Sequence, residues 1–214
     1  MRLTRQQLAE RLAQDLPDGS YVNLGIGIPT LVADHIPAGR RVILHTENGM
    51  LGMGAAPEPG AEHPDLMNAG KMFVTETPGA SYFHHAESFA MVRGHHLDYA
   101  VMGAYQVSID GDLANWRTNE PGAIPGVGGA MDLAVGARHV YIVMELFTKL
   151  GEPKLVDRLT YPVTGRGCVE RIYSDTALFE ITAAGVSVRE IFDELSLDEL
   201  ASRVGVPLID GRTP

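Results

Sequence analysis

The sequence is poor in cysteine, in basic residues and in long apolar runs. Its single cysteine, Cys168, excludes an intrachain disulfide and a thiolate cluster for a metal. The 17 Lys and Arg residues stand against 27 Asp and Glu residues, and a formal charge of −10 argues against binding nucleic-acid phosphates. No segment approaches the ~20 apolar residues of a membrane-spanning helix, and the first residues lack the apolar core of a signal peptide. We therefore expect a cytoplasmic protein without nucleic-acid or membrane partners.

The length and composition suit one large globular domain. The chain has 214 residues, of which 45% are hydrophobic and 21% are charged, so it can bury a substantial core. No internal repeat, low-complexity tract or linker-like change in composition divides the sequence. We therefore expect a single domain over residues 1–214.

Apolar runs alternate with helical patterns over the first two thirds of the chain. Beyond Lys154, shorter alternating runs favour antiparallel pairing, and a last helix is predicted after Ser196. This order predicts an α/β fold, with an open, mainly parallel sheet, flanking helices and some antiparallel strands. The predicted strands are 21–24, 42–44, 97–102 and 139–144, with an extended segment at 72–77, and the predicted helices are 4–16, 30–36, 86–92, 131–136 and 196–204.

One carboxylate follows the second predicted strand at once. Residues 42–44 lead into Glu47, which is followed by Asn48, Gly49 and further glycines. Ligands of open α/β sheets bind beyond the carboxyl ends of the strands, and glycines let a bulky ligand approach the backbone. Glu47 is therefore a candidate catalytic residue, ionised at pH 7 if its pKa has the ordinary value of about 4.3. In an arbitrary sequence, a solvated loop glutamate would explain the same pattern.

Two glycine-rich turns also precede predicted helices. Gly25 and Gly27 lie between a strand and a helix, but Thr30 takes the place of the third glycine of a dinucleotide-binding turn, so a dinucleotide site is not expected. Gly128 and Gly129 precede a later helix, where their amides could stabilise the oxyanion of a thioester under attack. Tight turns without any ligand would explain the glycines of both segments equally well.

Several charged and imidazole side chains carry weaker signals. The pairs His84-His85 and His95-His96 are adjacent in sequence, whereas histidine ligands of a metal usually lie four residues apart or beside cysteines, so no metal site is predicted. Glu145 and Lys149 are four residues apart and could pair across a surface turn. Lys71 is separated from other cations, as a solvated lysine would be.

Motifs distributed over almost the whole chain resemble the B subunit of the 3-oxoacid CoA-transferases, which are class I CoA-transferases. Within this family, the segments 82–86, 123–129 and 206–209 are more similar to the 3-oxoadipate enzymes than to the acetoacetate enzymes. Thr46 stands where the family usually has serine, and Leu146 stands where it usually has histidine. The motifs are NLGIGIPT (23–30), TENGMLGMG (46–54), LMNAGK (66–71), SFAMVRG (88–94), GDLANW (111–116), GGAMDL (128–133) and YPVTG (161–165).

The resemblance implies a fold shared by CoA-transferases and certain sugar-phosphate isomerases. It implies a ping-pong reaction in which Glu47 attacks an acyl-CoA thioester and the amide of Gly129, with that of Gly128, binds the oxyanion. Lys71 is the candidate for a contact with CoA, and the glycines and Asn48 beside the site are candidates for binding the substrates. No cofactor is implied, because CoA thioesters are substrates. A separate A subunit, commonly in an A2B2 heterotetramer, is implied as the partner.

The same resemblance predicts the substrates. Succinyl-CoA would donate CoA to 3-oxoadipate through a glutamyl-CoA thioester, in the β-ketoadipate route of aromatic catabolism. His84 and His85 are predicted to receive the distal charge of this dicarboxylate acceptor. Acetoacetate as the acceptor, an acyl-CoA hydrolase of the same fold, and a sugar-phosphate-binding domain are the alternative functions.

Overall fold

The computed structural model describes residues 2–212 and arranges them around a ten-stranded sheet. The strands are β1 (Tyr21–Leu24), β2 (Ile43–Thr46), β3 (Met50–Met53), β4 (Glu76–Tyr82), β5 (Tyr99–Met102), β6 (Gln106–Ser108), β7 (Leu113–Ala114), β8 (His139–Met144), β9 (Leu155–Val156), β10 (Val169–Ser174), β11 (Ala177–Thr182), β12 (Gly185–Ile191) and β13 (Ile209–Asp210). The helices are α1 (Arg5–Ala13), a 3-10 helix (Ile28–His35), α2 (His85–Arg93), α3 (Ala130–Gly136) and α4 (Leu197–Val204).

The sheet has a parallel centre and antiparallel sides. Its strand order is β13-β12-β11-β10-β8-β5-β1-β2-β3-β4. The strands from β10 to β2 in this order are all parallel, whereas β3 and β4 are added antiparallel on one side and β11 and β12 on the other. The predicted open, mainly parallel sheet is therefore confirmed. The strands β6, β7 and β9 form a small separate sheet that the sequence patterns do not predict.

Apolar side chains cover both faces of the sheet. Successive residues of β8 alternate between two hydrophobic clusters, with Ile142 in one and Val143 in the other. The cluster of Ile142 also holds buried residues of α2, α3 and α4, whereas the cluster of Val143 holds residues of α1 and the 3-10 helix. A central strand covered on both faces must be apolar throughout, which is why β8 is so readily predicted. Within residues 2–212, no helix is long and apolar enough to cross a membrane.

The predicted starts of the first and last helices are confirmed. The Thr4 hydroxyl accepts a hydrogen bond from the Gln7 amide before α1, and the Ser196 hydroxyl accepts one from the Glu199 amide before α4. In both cases the side chain at the third helical position bonds back to the cap amide. These reciprocal bonds satisfy amides that the first turn of a helix leaves without partners.

Two elements differ from their predictions. The helix predicted at 30–36 is a 3-10 helix over Ile28–His35, which contains three β-branched residues that favour an α-helix less. The extended segment predicted at 72–77 lies later, as β4. Most of β4 is exposed at the edge of the sheet, and it contains a proline and a glycine, so it lacks the alternating pattern of a half-buried strand.

The spacing of Glu145 and Lys149 allows an ion pair that the described residues do not form. The Glu145 carboxylate instead pairs with Arg5 of α1, with an N–O distance of 2.8 Å. Residues after β8 do not continue as a helix, so a spacing of four residues does not bring two side chains onto one face.

The order of the parallel strands places a crevice at one edge of the sheet. From β1 the chain crosses to β2 on one side, whereas β5 pairs with β1 on the other side. In open α/β sheets, ligands bind at such a reversal of strand order, outside the carboxyl ends of the strands. A ligand-binding site is therefore expected at the carboxyl ends of β1, β2 and β5.

Candidate active site

A cavity of about 390 Å³ opens at the carboxyl ends of β1, β2 and β5. Its walls include Gly25 after β1, Glu47 after β2, Gly103 after β5 and the turn before α3. The Gly25 amide donates to the Val101 carbonyl at 2.8 Å, and a Cβ on Gly25 would lie 3.1 Å from that oxygen. Glycine at this position therefore allows the chain leaving β1 to pack closely against β5 at the floor of the cavity.

The turn between β2 and β3 carries Glu47 into the cavity. Glu47, Asn48 and Gly49 form this turn, with the Gly49 amide donating to the Thr46 carbonyl at 3.1 Å. Gly49 has φ of 121°, and a Cβ there would overlap the Phe83 carbonyl. A glycine is thus required for the turn to fit against the segment that precedes α2. The tight hairpin fixes the backbone of Glu47 at the mouth of the cavity.

The structure brings Glu47 and Gly129 together from distant parts of the sequence. A Cβ on Gly129 would lie 2.5 Å from Oε2 of Glu47 and 2.6 Å from the ring of Phe89. Gly129 is buried and is the residue before the first turn of α3, whereas Gly128 is exposed with φ of 48°. Because Gly129 has no side chain, the Glu47 carboxylate can occupy the space beside it.

The surroundings of Glu47 change the acidity of its carboxyl group. Burial raises the pKa of Glu47, and positive charge on His85 opposes this by lowering it. The carboxylate is therefore more basic than that of an ordinary exposed glutamate. His85 and Phe89 of α2 also line a shallow crevice that shares Glu47, Gly128 and Gly129 with the cavity.

A buried hydrogen-bond network holds the end of β2. Nδ1 of His45 accepts from the Asn23 side-chain amide at 2.9 Å, so its Nε2 carries the proton and donates to the Ser88 hydroxyl at 2.8 Å. The Ser88 hydroxyl lies 3.3 Å from the Thr46 carbonyl, to which it donates. The network ties β1, β2 and α2 together directly below Glu47. It uses neutral His45, whose pKa burial lowers to about 4.

The low pKa of His45 predicts a stability that falls on acidification. Between pH about 6.5 and about 4 the unfolded chain binds a proton at this position and the folded chain does not, so folding loses up to about 3 kcal/mol as the pH falls. We expect His45→Gln to lower stability at pH 7.5 but to flatten its dependence on pH. Urea unfolding at pH 7.5 and 5.0 measures both effects.

The control for this prediction is His63→Gln, because His63 is exposed in a surface loop. This variant should keep the pH dependence of the unsubstituted chain. An equally steep loss of stability in His45→Gln would show that another group causes it.

The sequence of residues 5–201 matches the coenzyme A transferase family. This chain belongs to the coenzyme A transferase family. It is 54% identical to the B subunit of 3-oxoadipate CoA-transferase from Acinetobacter baylyi, over 98% of this chain and 96% of that protein. It is 56% identical to the protein of the same name from Pseudomonas putida, over 97% of each. It is 46% identical to the probable B subunit of succinyl-CoA:3-ketoacid coenzyme A transferase from Bacillus subtilis, over 94% of this chain and 92% of that protein.

Solved structures of CoA-transferases share the fold. Glutaconate CoA-transferase from Acidaminococcus fermentans superposes with a TM-score of 0.71 over 99% of this chain and 90% of that one, at 14% identity. An acyl-CoA transferase from Escherichia coli O157:H7 superposes with a TM-score of 0.74 over 98% of this chain, at 18% identity. This chain spans 42% of the Escherichia coli protein. At such identities the likeness shows the fold alone.

Two of the predicted binding residues of this CoA-transferase chain form hydrogen bonds with its own backbone. His84 precedes α2 as its N-cap, and its Nδ1 accepts from the Ala86 amide at 3.1 Å. The Asn48 amide group donates to the Met67 carbonyl at 2.8 Å and so holds the loop that follows β3. Their roles in substrate binding stay predictions, since these contacts are with the protein itself.

Two other predicted binding residues of the transferase lie beside the cavity rather than in its wall. Gly27 has φ of 97° and caps the 3-10 helix, where its carbonyl accepts from the Thr30 amide and hydroxyl. Lys71 is exposed with φ of 62°, two residues after Ala69, which lines the cavity. A CoA contact by Lys71 stays a prediction.

The two histidine pairs take part in separate local contacts. His85 packs on Phe89 with ring centroids 4.9 Å apart, and Nδ1 of His95 lies 3.0 Å from the Gly136 carbonyl. In the described part of the transferase chain, no group of three or more His, Cys, Asp or Glu side chains lies close enough to hold a metal.

The sequence alone does not identify the residues that surround Glu47 from other elements. His45 and Asn23 lie inside strands, where a polar residue in a buried position is a signal for a network. Ser88 and Phe89 lie within the SFAMVRG motif, but nothing local shows that α2 meets the end of β2. Contacts between elements of this transferase can be read only from the folded chain.

Proposed function

We propose that this chain is the B subunit of a CoA-transferase that moves CoA from succinyl-CoA to 3-oxoadipate through a glutamyl-CoA thioester. The observation that carries the proposal is the position of Glu47. Its carboxylate lies in the wall of a cavity at the carboxyl ends of parallel strands and against the glycine turn before α3. A binding domain without transfer chemistry would not need a half-buried carboxylate there.

The first half of the reaction loads CoA onto Glu47. A carboxylate oxygen of Glu47 attacks the thioester carbonyl of succinyl-CoA, the C–S bond breaks, and a mixed anhydride and CoA thiolate are formed. The thiolate then attacks the carbonyl carbon of Glu47, which releases succinate and leaves the glutamyl-CoA thioester. The amide of Gly129, with that of Gly128, is proposed to stabilise the oxyanions of these steps.

The second half returns CoA to the acceptor. A carboxylate oxygen of 3-oxoadipate attacks the glutamyl thioester carbonyl, which releases CoA thiolate and forms a second mixed anhydride. The thiolate attacks the 3-oxoadipyl carbonyl, and 3-oxoadipyl-CoA leaves with the carboxylate of Glu47 restored. No general base is needed, because each nucleophile is already an anion.

The environment of Glu47 suits this role. Burial raises the pKa of its carboxyl group, and a more basic carboxylate is a stronger nucleophile toward a thioester. The electrostatic effect of His85 opposes this rise in the pKa of Glu47. Positioning in the cavity and binding energy from the rest of CoA supply the remaining acceleration.

The choice of 3-oxoadipate rests on sequence similarity. The two 3-oxoadipate CoA-transferase relatives are 54% and 56% identical to this chain, against 46% for the succinyl-CoA:3-ketoacid enzyme of Bacillus subtilis. All three relatives align over more than nine tenths of this chain. The difference in identity therefore supports the 3-oxoadipate branch.

A partner A subunit is proposed to complete the active unit, as an A2B2 heterotetramer. The relatives are named as B subunits, which implies a second kind of polypeptide in those enzymes. In this chain, Ile26 and Val127 line the cavity but are 68% and 38% exposed. Apolar side chains at the mouth of a site are suited to contact another protein.

The acceptor is tested with the complex of this chain and its A subunit. We expect kcat/KM for 3-oxoadipate to exceed that for acetoacetate by about tenfold or more, because a second carboxylate adds a charged contact that acetoacetate cannot make. The measurement uses succinyl-CoA as the donor and follows each acyl-CoA product by chromatography. A preference for acetoacetate would reject the assigned acceptor, and release of free CoA without transfer would instead identify a hydrolase.

A further inference from the structure

A smaller crevice adjoins the active-site cavity at the carboxyl ends of β5 and β8. The two spaces share Ile26, Gly103 and Ala104 as walls. The crevice has a volume of about 190 Å³, and Met144 and Lys154 form part of its lining. Because these three residues belong to both walls, the crevice and the active-site cavity adjoin at this edge of the sheet.

The backbone of Lys154 is held on both sides. Its amide donates to the Leu146 carbonyl at 2.9 Å, and its carbonyl accepts from the Val107 amide at 2.8 Å. The next residue, Leu155, begins β9 and is fully buried. The lysine side chain therefore starts from a rigid point in the crevice wall, which suits a residue that must place a charge accurately.

The ammonium group of Lys154 has no ion-pair partner within residues 2–212. The two carboxylates that act electrostatically on it also have other partners, since Glu145 pairs with Arg5 at 2.8 Å and Asp175 accepts from the Leu146 amide at 2.7 Å. Burial lowers the pKa of Lys154, and these two carboxylates raise it again. The two carboxylates thus offset only part of the free-energy cost of burying the charged ammonium group of Lys154.

The lining of the crevice itself carries two cations and one anion, and the Asp175 carboxylate acts on Lys154 from outside the lining. Arg5 and Lys154 are cations there, and Glu145 is the only anion among the lining residues. A half-buried cation without a partner favours the binding of an anion. A volume of about 190 Å³ is below the ~300 Å³ at which pockets for drug-sized ligands begin, so the crevice suits a short carboxylate chain rather than a nucleotide.

Both proposed substrates carry such a carboxylate. The succinyl group has one free carboxylate and 3-oxoadipate has a second carboxylate, each at a distance from the carbonyl that reacts. The two histidines predicted for this charge line neither the cavity nor the crevice, since His84 caps α2 and His85 lies beside Glu47, and their role stays a prediction. Lys154 provides a cation in the crevice for the distal charge.

We infer that Lys154 binds the distal carboxylate of the acyl group and makes the enzyme selective for dicarboxylate substrates. The inference rests on the proposed transfer of CoA at Glu47. Binding of the distal charge in the crevice would orient the reacting carbonyl toward Glu47. Monocarboxylates would leave the ammonium group of Lys154 without a partner.

The test compares Lys154→Met and Lys154→Arg with the unsubstituted chain, each in complex with the A subunit. Lys154→Met should lower kcat/KM for 3-oxoadipate by about tenfold or more relative to acetoacetate, because it removes a charged contact. Lys154→Arg, which keeps the positive charge, should retain most of the preference. In a donor arm, Lys154→Met should slow the release of CoA from succinyl-CoA more than from acetyl-CoA.

Two comparisons make the result specific. Lys149→Met removes an exposed lysine five residues away and should leave the ratio of the two acceptors unchanged. His85→Asn should lower kcat/KM for both acceptors together, because His85 acts on Glu47. A ratio measured on one preparation does not depend on the fraction of active enzyme, so partial misfolding of Lys154→Met cannot produce the expected change.

The outcomes separate the inference from the proposed function. Three results would each overturn the role of Lys154. They are an unchanged ratio in both arms, an equal loss for dicarboxylates and monocarboxylates, and a preference that depends on His85 instead. If the unsubstituted complex transfers CoA to neither acceptor, the proposed function fails, and the inference fails with it. If acetoacetate is preferred, the donor arm still decides whether Lys154 selects the succinyl group.

Discussion

Glu47→Gln is expected to reduce CoA transfer by about 10⁴-fold or more, because the side-chain amide has nearly the same shape as the carboxylate but is not a nucleophile. Glu47→Asp should also be severely impaired. It keeps the charge but withdraws the oxygens from the position against Gly129, and small displacements of reacting groups are costly. Steady-state transfer by the complex with the A subunit measures both variants.

Covalent labelling tests the same residue directly. Incubation of the unsubstituted complex with succinyl-CoA, followed by borohydride or hydroxylamine, should modify the peptide that contains Glu47, as detected by mass spectrometry. Glu58→Gln changes an exposed glutamate in the loop after β3 and should retain both transfer and labelling. Labelling of a different residue, or normal turnover of Glu47→Gln, would remove Glu47 from the mechanism.

Gly129→Ala is expected to lower turnover by about 10²-fold or more, although only a methyl group is added. The new Cβ would lie 2.5 Å from Oε2 of Glu47 and 2.6 Å from the ring of Phe89, so the carboxylate or the ring must move. The flexible end of Glu47 is the easier group to displace, and its displacement takes the nucleophile out of position. The kcat for transfer and the rate of Glu47 labelling should fall together.

The matched control for this prediction is Gly126→Ala in the same turn. A Cβ on Gly126 would have no atom within 4 Å, so this variant should retain most of the turnover. Circular dichroism and co-purification with the A subunit check that both variants fold and assemble. Normal kcat in a folded Gly129→Ala complex would show that the position of the Glu47 carboxylate does not depend on Gly129.

Local patterns predicted those parts of the fold that short-range chemistry controls. The residues of β8 are predicted without error, because a strand buried on both faces is continuously apolar. The starts of α1 and α4 follow from capping residues three positions apart. The edge strand β4 lies later in the chain than its predicted position, because an exposed strand is stabilised by its neighbour and carries no strong pattern of its own.

The sequence by itself determined that the chain forms an α/β sheet, and its resemblance to the CoA-transferases identified Glu47 as the candidate nucleophile. Both depend on short runs of consecutive residues, since apolar runs form the strands and the motif around Glu47 follows one of them. Only the tertiary structure decided which groups surround Glu47. Gly129 lies against the Glu47 carboxylate, His45 and Ser88 hold the end of β2, and Lys154 lines the adjoining crevice. These residues lie far apart in the sequence, and the order in which the strands pair brings them together.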